Sequence, residues 1–106
     1  MEAHQNGKIG LLLCDDHAVL RAGLCALLLV ERDIAVLGQA CSGEEAVDLA
    51  VRLKPAVVVM DIALPGIDGL EASRRIGEQA PECRILMLTM HREIHYLLSA
   101  LKAVAS

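Results

Sequence analysis

Phenylalanine and tryptophan are absent from this sequence and Tyr96 is its one tyrosine, so a core must be built from aliphatic side chains and methionine. Long apolar runs are missing too. The longest, Leu24 to Val30, is far short of the roughly 20 residues that a membrane-spanning helix requires. Met1 to Lys8 carries His4, Gln5 and Asn6 and lacks the apolar segment of a secretory signal, which implies a loose polar lead-in to a cytoplasmic domain. Nor is there an excess of positive charge. Ten basic and fourteen acidic residues leave a formal charge of −4, which argues against this chain gripping nucleic acid by itself, because phosphate contacts need a basic patch. The four cysteines, Cys14, Cys25, Cys41 and Cys83, form no CxxC pair, so buried reduced thiols are expected rather than a disulfide or a zinc site. Linkers, repeats and low-complexity tracts are also lacking, and 106 residues bound the chain to one small domain.

What is present is a regular alternation. Ile9 to Cys14 is an apolar run that ends at Asp15 and Asp16, and from Ala18 to about Val30 a helical pattern sets Val19, Leu20, Leu24, Leu27 and Leu28 on one broad face. Ile34 to Ala40 is a second strand. Ser42-Gly43-Glu44-Glu45 then reads as a capping box opening a helix to about Leu53, with Val47, Ala50 and Leu53 inward. Pro55 stops that helix before a third strand, Ala56 to Asp61. Asp68 is placed to cap a helix from Gly69 to about Gln79, with Leu70 and Ile76 inward. A fourth strand, Arg84 to Thr89, follows Pro81, and Ile94, Leu97, Leu98, Leu101 and Val104 give Arg92 to Ala105 helical spacing. The order βαβαβαβα means a doubly wound parallel sheet, an α/β fold covered on both faces.

One residue breaks the pattern. Val57 to Met60 is as apolar as a buried strand can be, yet it runs into a carboxylate, Asp61, which is costly to bury unless something pairs with it. Binding sites in open parallel sheets lie beyond the carboxyl ends of the strands. Here those ends carry Asp15 and Asp16, Asp61, and Thr89. Three carboxylates gathered on one edge repel unless a cation sits among them, and Mg²⁺, a hard ion with oxygen ligands, suits the set. Each residue also has a plainer reading: Asp16 as a helix cap, Thr89 as an ordinary strand residue, Asp61 as the start of a polar loop. Their conjunction at matching strand ends is what favours a site.

The motifs LLLCDDHAVLRAGLCALL and VVVMDIALPGIDGLEASRRI resemble the receiver domain of bacterial two-component response regulators, most closely the NarL/FixJ (LuxR-type) subfamily. The likeness runs from about Lys8 to Ala105. It implies a flavodoxin-like (CheY-like) receiver fold over 9–106, preceded by the 1–8 lead-in. It implies that Asp61 accepts a phosphoryl group from a sensor histidine kinase. By the same match, Asp16, Asp61 and the backbone carbonyl of Ala63 would ligate Mg²⁺, Asp15 would act largely through water, and Thr89 would contact the phosphoryl group and move on activation. Ala63 and His91 would flank that group and modulate its lifetime.

The likeness also sets expectations about what is missing. In the subfamily a fifth strand ends in a lysine that pairs with the phosphoryl group; here ALKAVAS closes the sequence, and Lys8, Lys54 and Lys102 lie where they cannot serve. The expected domain therefore lacks its last βα unit and its output domain, and self-association through the uncovered strand edge and first helix is expected. His17 reads as loop-shaping or surface, and His91 and His95 as solvated histidines. Two rival functions stand beside the phosphoacceptor: an interaction module that keeps the acidic pocket without phosphate chemistry, and a phosphatase-like hydrolase using Asp61.

Overall fold

Successive residues of one short strand serve two different cores. In the computed structural model, which describes residues 4–5, 8–30 and 33–88, strand β2 (Lys8–Cys14) sends Leu11 and Leu13 to one side of a sheet and Leu12 and Cys14 to the other. The elements run β1 (His4–Gln5), β2, α1 (Ala18–Leu29), β3 (Ile34–Ala40), α2 (Gly43–Leu53), β4 (Val57–Asp61), α3 (Gly69–Gln79) and β5 (Arg84–Leu88). The parallel strands lie in the order β3-β2-β4-β5. From β2 the chain crosses to β3 in one direction, then steps back past β2 to β4 and on to β5. Right-handed crossovers in opposite directions put the connecting helices on opposite faces. Accordingly α1 contributes Leu24 and Leu28 to a core with Ile9, Leu11, Leu13, Ile34, Val57 and Val59. On the other face α2 and α3 contribute Ala46, Ala50, Ala72 and Ile76 to a core with Leu12, Cys14, Val58 and Met60. The direction in which strands are added across the sheet reverses between β2 and β4, and that is where such sheets bind ligands.

The expected helix faces are narrower than the apolar spacing suggested. Leu24 and Leu28 are buried as expected, but Val19 is 88% exposed and Leu27 49%. A helix lying on a sheet buries a thin stripe, and Val19 sits roughly 140° round the helix from Leu24. Leu70 is likewise off the Ala72–Ile76 line and 59% exposed. Leu53 reaches only the margin of its core, resting over Gly38. Alanines at 46 and 50 instead bring α2 close to the sheet. His4–Gln5, which the sequence left in a loose lead-in, pairs antiparallel with Lys8 and Ile9. Among the described residues no helix is long and apolar enough to cross a membrane.

All four cysteines are free, as expected, but they differ in surroundings: Cys14 is buried, Cys25 and Cys83 are half-buried and Cys41 is exposed. Burial, with the charges of Glu45 and Asp15 behind it, pushes the Cys14 thiol up to about 12. At pH 8, iodoacetamide should therefore label Cys41 and leave Cys14 untouched until the protein is unfolded. The unfolded thiol ionises near 9.0 while the folded one keeps its proton to about 12, so above pH 9 the unfolded state binds fewer protons. Stability present below pH 9 should fall as pH rises towards 12, and less steeply in Cys14→Ala. Urea titrations at successive pH values would show a common slope if Cys14 contributes nothing.

Candidate functional site

The register of the central strands assembles the site. Leu13 lies opposite Val59 and Cys14 opposite Met60, so the next residues along, Asp15 and Asp61, are neighbours at the carboxyl end of the sheet. They share the parity of Leu11, Leu13, Val57 and Val59, which face α1. Asp15 is held there by its own amide, which donates to the Ala40 carbonyl at 3.0 Å and extends the β2–β3 ladder by one residue. Arg21 of α1 also donates to the Asp15 carbonyl, and to Gln39 of β3 at 3.3 Å. Asp15 and Asp61 are the buried charged residues of the described core, at 2% and 5% exposure. Asp16 and His17 stand at the surface beside them. His17, with no side-chain cap bond, is the N-cap of α1, so the helix-cap reading of Asp16 does not hold.

Asp61 needs its own support. Its Oδ1 accepts the Ala63 amide at 3.0 Å, which turns the chain sharply out of β4. The loop that follows is tied to the start of α2: the Gly43 amide donates to the Pro65 carbonyl at 3.1 Å, and the Ile67 amide to Glu44 Oε2 at 3.2 Å. Gly66 turns that loop at φ 80°, a left-handed conformation that suits glycine, and a Cβ there would strike Glu44. The caps foreseen at Ser42 and Asp68 form, accepting from the amides of Glu45 and Glu71 at 3.2 and 2.9 Å. Glu45 reaches back one residue further than a capping box requires, to the Cys41 amide at 2.9 Å.

The structure thus brings Asp15, Asp16 and Asp61 together and sets Ala63 directly beside Asp61. Thr89, His91, His95, Lys102 and the helix expected over 92–105 lie outside the described residues. It also adds a residue that the sequence reading set aside. His17 Nδ1 lies 2.7 Å from Asp15 Oδ1, 3.2 Å from Asp16 Oδ1 and 3.8 Å from Asp61 Oδ2. Its hydrogen bond to Asp15, together with the charges of Asp15, Asp16 and Asp61 and against some desolvation, raises its pKa above the ordinary histidine value. The signal was its adjacency to the acidic pair; what hid it is the turn that folds its ring back over them.

This donor set fits a cation. Asp15 Oδ2 and Asp61 Oδ2 are buried and accept no hydrogen bond from any of the described residues. Leaving such oxygens bare is expensive unless positive charge compensates. One donor atom from each of Asp15, Asp16, His17 and Asp61 can be chosen so that all lie within 4.8 Å of one another.

Comparison with known proteins follows the same lines. A family model described as "Response regulator receiver domain" matches residues 11–106. The chain is 44% identical over 81 residues to the transcriptional regulatory protein LiaR of Bacillus subtilis, a match covering 76% of this chain and 38% of that protein. It is 33% identical over 105 residues to the transcriptional regulatory protein DegU of Brevibacillus brevis, covering 99% of this chain and 44% of that one. The chain therefore spans less than half the length of these relatives. Among solved structures, it resembles a two-component response regulator of the LuxR family from Aurantimonas sp. SI85-9A1 (36% identity, TM-score 0.74, covering 91% of this chain and 69% of that one). It also resembles the response regulator domain of Thermotoga maritima CheB (26% identity, TM-score 0.81, covering 92% and 96%).

Proposed function

Since the chain belongs to the response regulator receiver domain family, we propose that Asp61 is its phosphoryl acceptor and that a sensor histidine kinase is the donor. The observation that carries this reading is the state of the Asp61 carboxylate. It is buried at the end of β4, with Oδ1 engaged by the Ala63 amide and Oδ2 lacking a hydrogen bond. A carboxylate oriented through a backbone hydrogen bond at the end of a buried strand is a positioned nucleophile. In the transfer, a carboxylate oxygen of Asp61 forms a bond to phosphorus while the bond from phosphorus to the kinase histidine nitrogen breaks, that nitrogen keeping the electron pair, giving an acyl phosphate on Asp61.

Asp16, Asp61 and the Ala63 carbonyl would hold Mg²⁺, with Asp15 contributing largely through water. When bound, the ion supplies positive charge that masks the carboxylates and neutralises the equatorial phosphoryl oxygens. Thr89 would contact the added group and carry the switch. The added charge, roughly −1.5 to −2, is ample to attract a neighbouring hydroxyl and its loop. The domain is read as an acceptor that assists its own phosphorylation and dephosphorylation in the cytoplasm, not as an enzyme turning over a substrate. Relatives named as transcriptional regulatory proteins support the further reading that the switch governs transcription through a helix-turn-helix domain outside these 106 residues.

Incubation with acetyl phosphate and Mg²⁺ tests this. Intact-mass spectrometry should show one added phosphoryl group, absent with EDTA, and borohydride trapping should map it to Asp61. An unmodified mass would leave an interaction module in its place; an adduct mapped elsewhere would remove Asp61 from the role.

A further inference from the structure

We infer that His17 is a nitrogen ligand of the cation at this centre and biases it towards first-row transition dications over Mg²⁺. The inference rests on the reading of Asp15, Asp16 and Asp61 as a metal site. It adds a donor of a different chemical kind.

The geometry comes first. Around an ion with bonds of about 2.1 Å, adjacent donor atoms lie roughly 3.0 Å apart and opposite donors roughly 4.2 Å. His17 Nδ1 stands at 2.7, 3.2 and 3.8 Å from oxygens of Asp15, Asp16 and Asp61. The separations from Asp16 and Asp61 fall inside that range, and the 2.7 Å hydrogen bond to Asp15 need open by only about 0.3 Å to join it. One nitrogen thus lies against all three carboxylates at once.

The ring is also delivered there by fixed backbone. The His17 amide donates to Asp15 Oδ1 at 2.7 Å, and its carbonyl accepts the Arg21 amide at 2.9 Å as the first bond of α1. Extended dihedrals of φ −94° and ψ 100° separate those two bonds. The backbone of residue 17 is thus pinned on both sides, which fixes the point from which the ring reaches the cluster. A second observation points independently to a cation: Asp15 Oδ2 and Asp61 Oδ2 are buried and accept no hydrogen bond. His17 is already engaged through Nδ1 with Asp15 Oδ1, yet both of those oxygens still lack a hydrogen bond. A multivalent ion seated among the four donors can serve both, Asp61 Oδ2 directly and Asp15 Oδ2 largely through a bound water. It would replace the hydrogen that Nδ1 shares with Asp15 Oδ1, leaving a neutral imidazole protonated at Nε2.

Donor chemistry then sets the preference. Mg²⁺ takes oxygen donors and gives up its waters reluctantly, so an imidazole adds little to its binding. Later first-row ions accept imidazole nitrogen readily, and affinity for a mixed nitrogen–oxygen site rises from Mn²⁺ through Co²⁺. Three carboxylates with one imidazole form such a site.

The test compares Mg²⁺, Mn²⁺ and Co²⁺ binding to the wild-type chain and to His17→Ala by isothermal titration. Loss of His17 should weaken Mn²⁺ and Co²⁺ roughly tenfold while changing Mg²⁺ by less than about threefold. Electron spin-echo modulation of bound Mn²⁺ should show nitrogen coupling in the wild type and none in the variant. His17→Gln, which keeps a polar side chain of similar reach without an imidazole, repeats the spectroscopic arm if His17→Ala folds poorly. Equal losses for all three ions, or no nitrogen coupling, would overturn the role of His17. If Mg²⁺-dependent phosphoryl uptake persists in that case, the acceptor reading stands without it. If none of the ions binds the wild type, the metal centre itself falls.

Discussion

In Asp61→Asn, phosphoryl uptake falls to background while the cation-free protein melts several degrees higher. The first effect follows from removing the nucleophile. An amide oxygen can still accept the Ala63 amide, as Asp61 Oδ1 does at 3.0 Å, so the loop after β4 should stay in place. The second follows from the crowd that Asp61 joins. Asp15 and Asp61 are both buried, each with one oxygen that no described residue hydrogen-bonds, and Asp16 stands beside them. Neutralising one member relieves repulsion and adds an amide donor to a cluster served, among the described residues, by His17 and the Ala63 amide. A gain of about 1 kcal/mol would raise the melting temperature by roughly 4–8 °C in a domain of this size. Asp16→Ala should gain less, because Asp16 is 38% exposed and water already screens it. Mg²⁺ at ten times its dissociation constant should stabilise the wild type by about 1.4 kcal/mol and Asp61→Asn hardly at all. Scanning calorimetry with and without Mg²⁺ reads both quantities. A cation-free variant no more stable than wild type, or one that keeps the full Mg²⁺ response, would contradict the strained carboxylate cluster.

Two glycine-to-alanine substitutions in helices should have opposite signs. Gly23 lies within α1, and a Cβ there meets nothing within 4 Å. Alanine should stabilise the helix by about 1 kcal/mol through its better propensity. Gly43 opens α2, and a Cβ there would lie 2.0 Å from the Ile67 carbonyl oxygen and 2.5 Å from Ile67 Cγ1. A backbone oxygen cannot swing aside as a side chain does. Gly43→Ala must push α2 off the loop that Gly43 and Glu44 hold, at a cost on the order of 3 kcal/mol. The same displacement should slow phosphoryl uptake, because that loop carries Ala63 beside Asp61. Urea unfolding followed by circular dichroism compares the pair, and similar free energies for both would rule out the close approach at Gly43.

Features set by a few neighbouring dihedrals were legible before any folding was seen. Ser42 and Asp68 cap their helices through amides three residues on, a distance at which sequence spacing is structure. The apolar run Val57 to Met60 had to be a covered strand because it offers no polar face. The meeting of Asp15, Asp16 and Asp61 was also accessible, because strand ends in a doubly wound sheet converge by topology alone. The exposure of Val19 and Leu70 could not be read that way: apolar spacing shows what a helix offers, and the neighbouring element decides how wide a stripe it takes. Glu44 reaching the Ile67 amide joins residues 23 apart, and Gly43 matters only because that loop arrives against it. Above all, the turn after β2 lays the His17 ring across three carboxylates. Fold class and the acidic triad follow from periodicity and strand order, which the residues alone carry. Tertiary structure alone decided the role open to His17, because a side chain's direction at the end of a strand is set by the backbone turn and the groups packed around it.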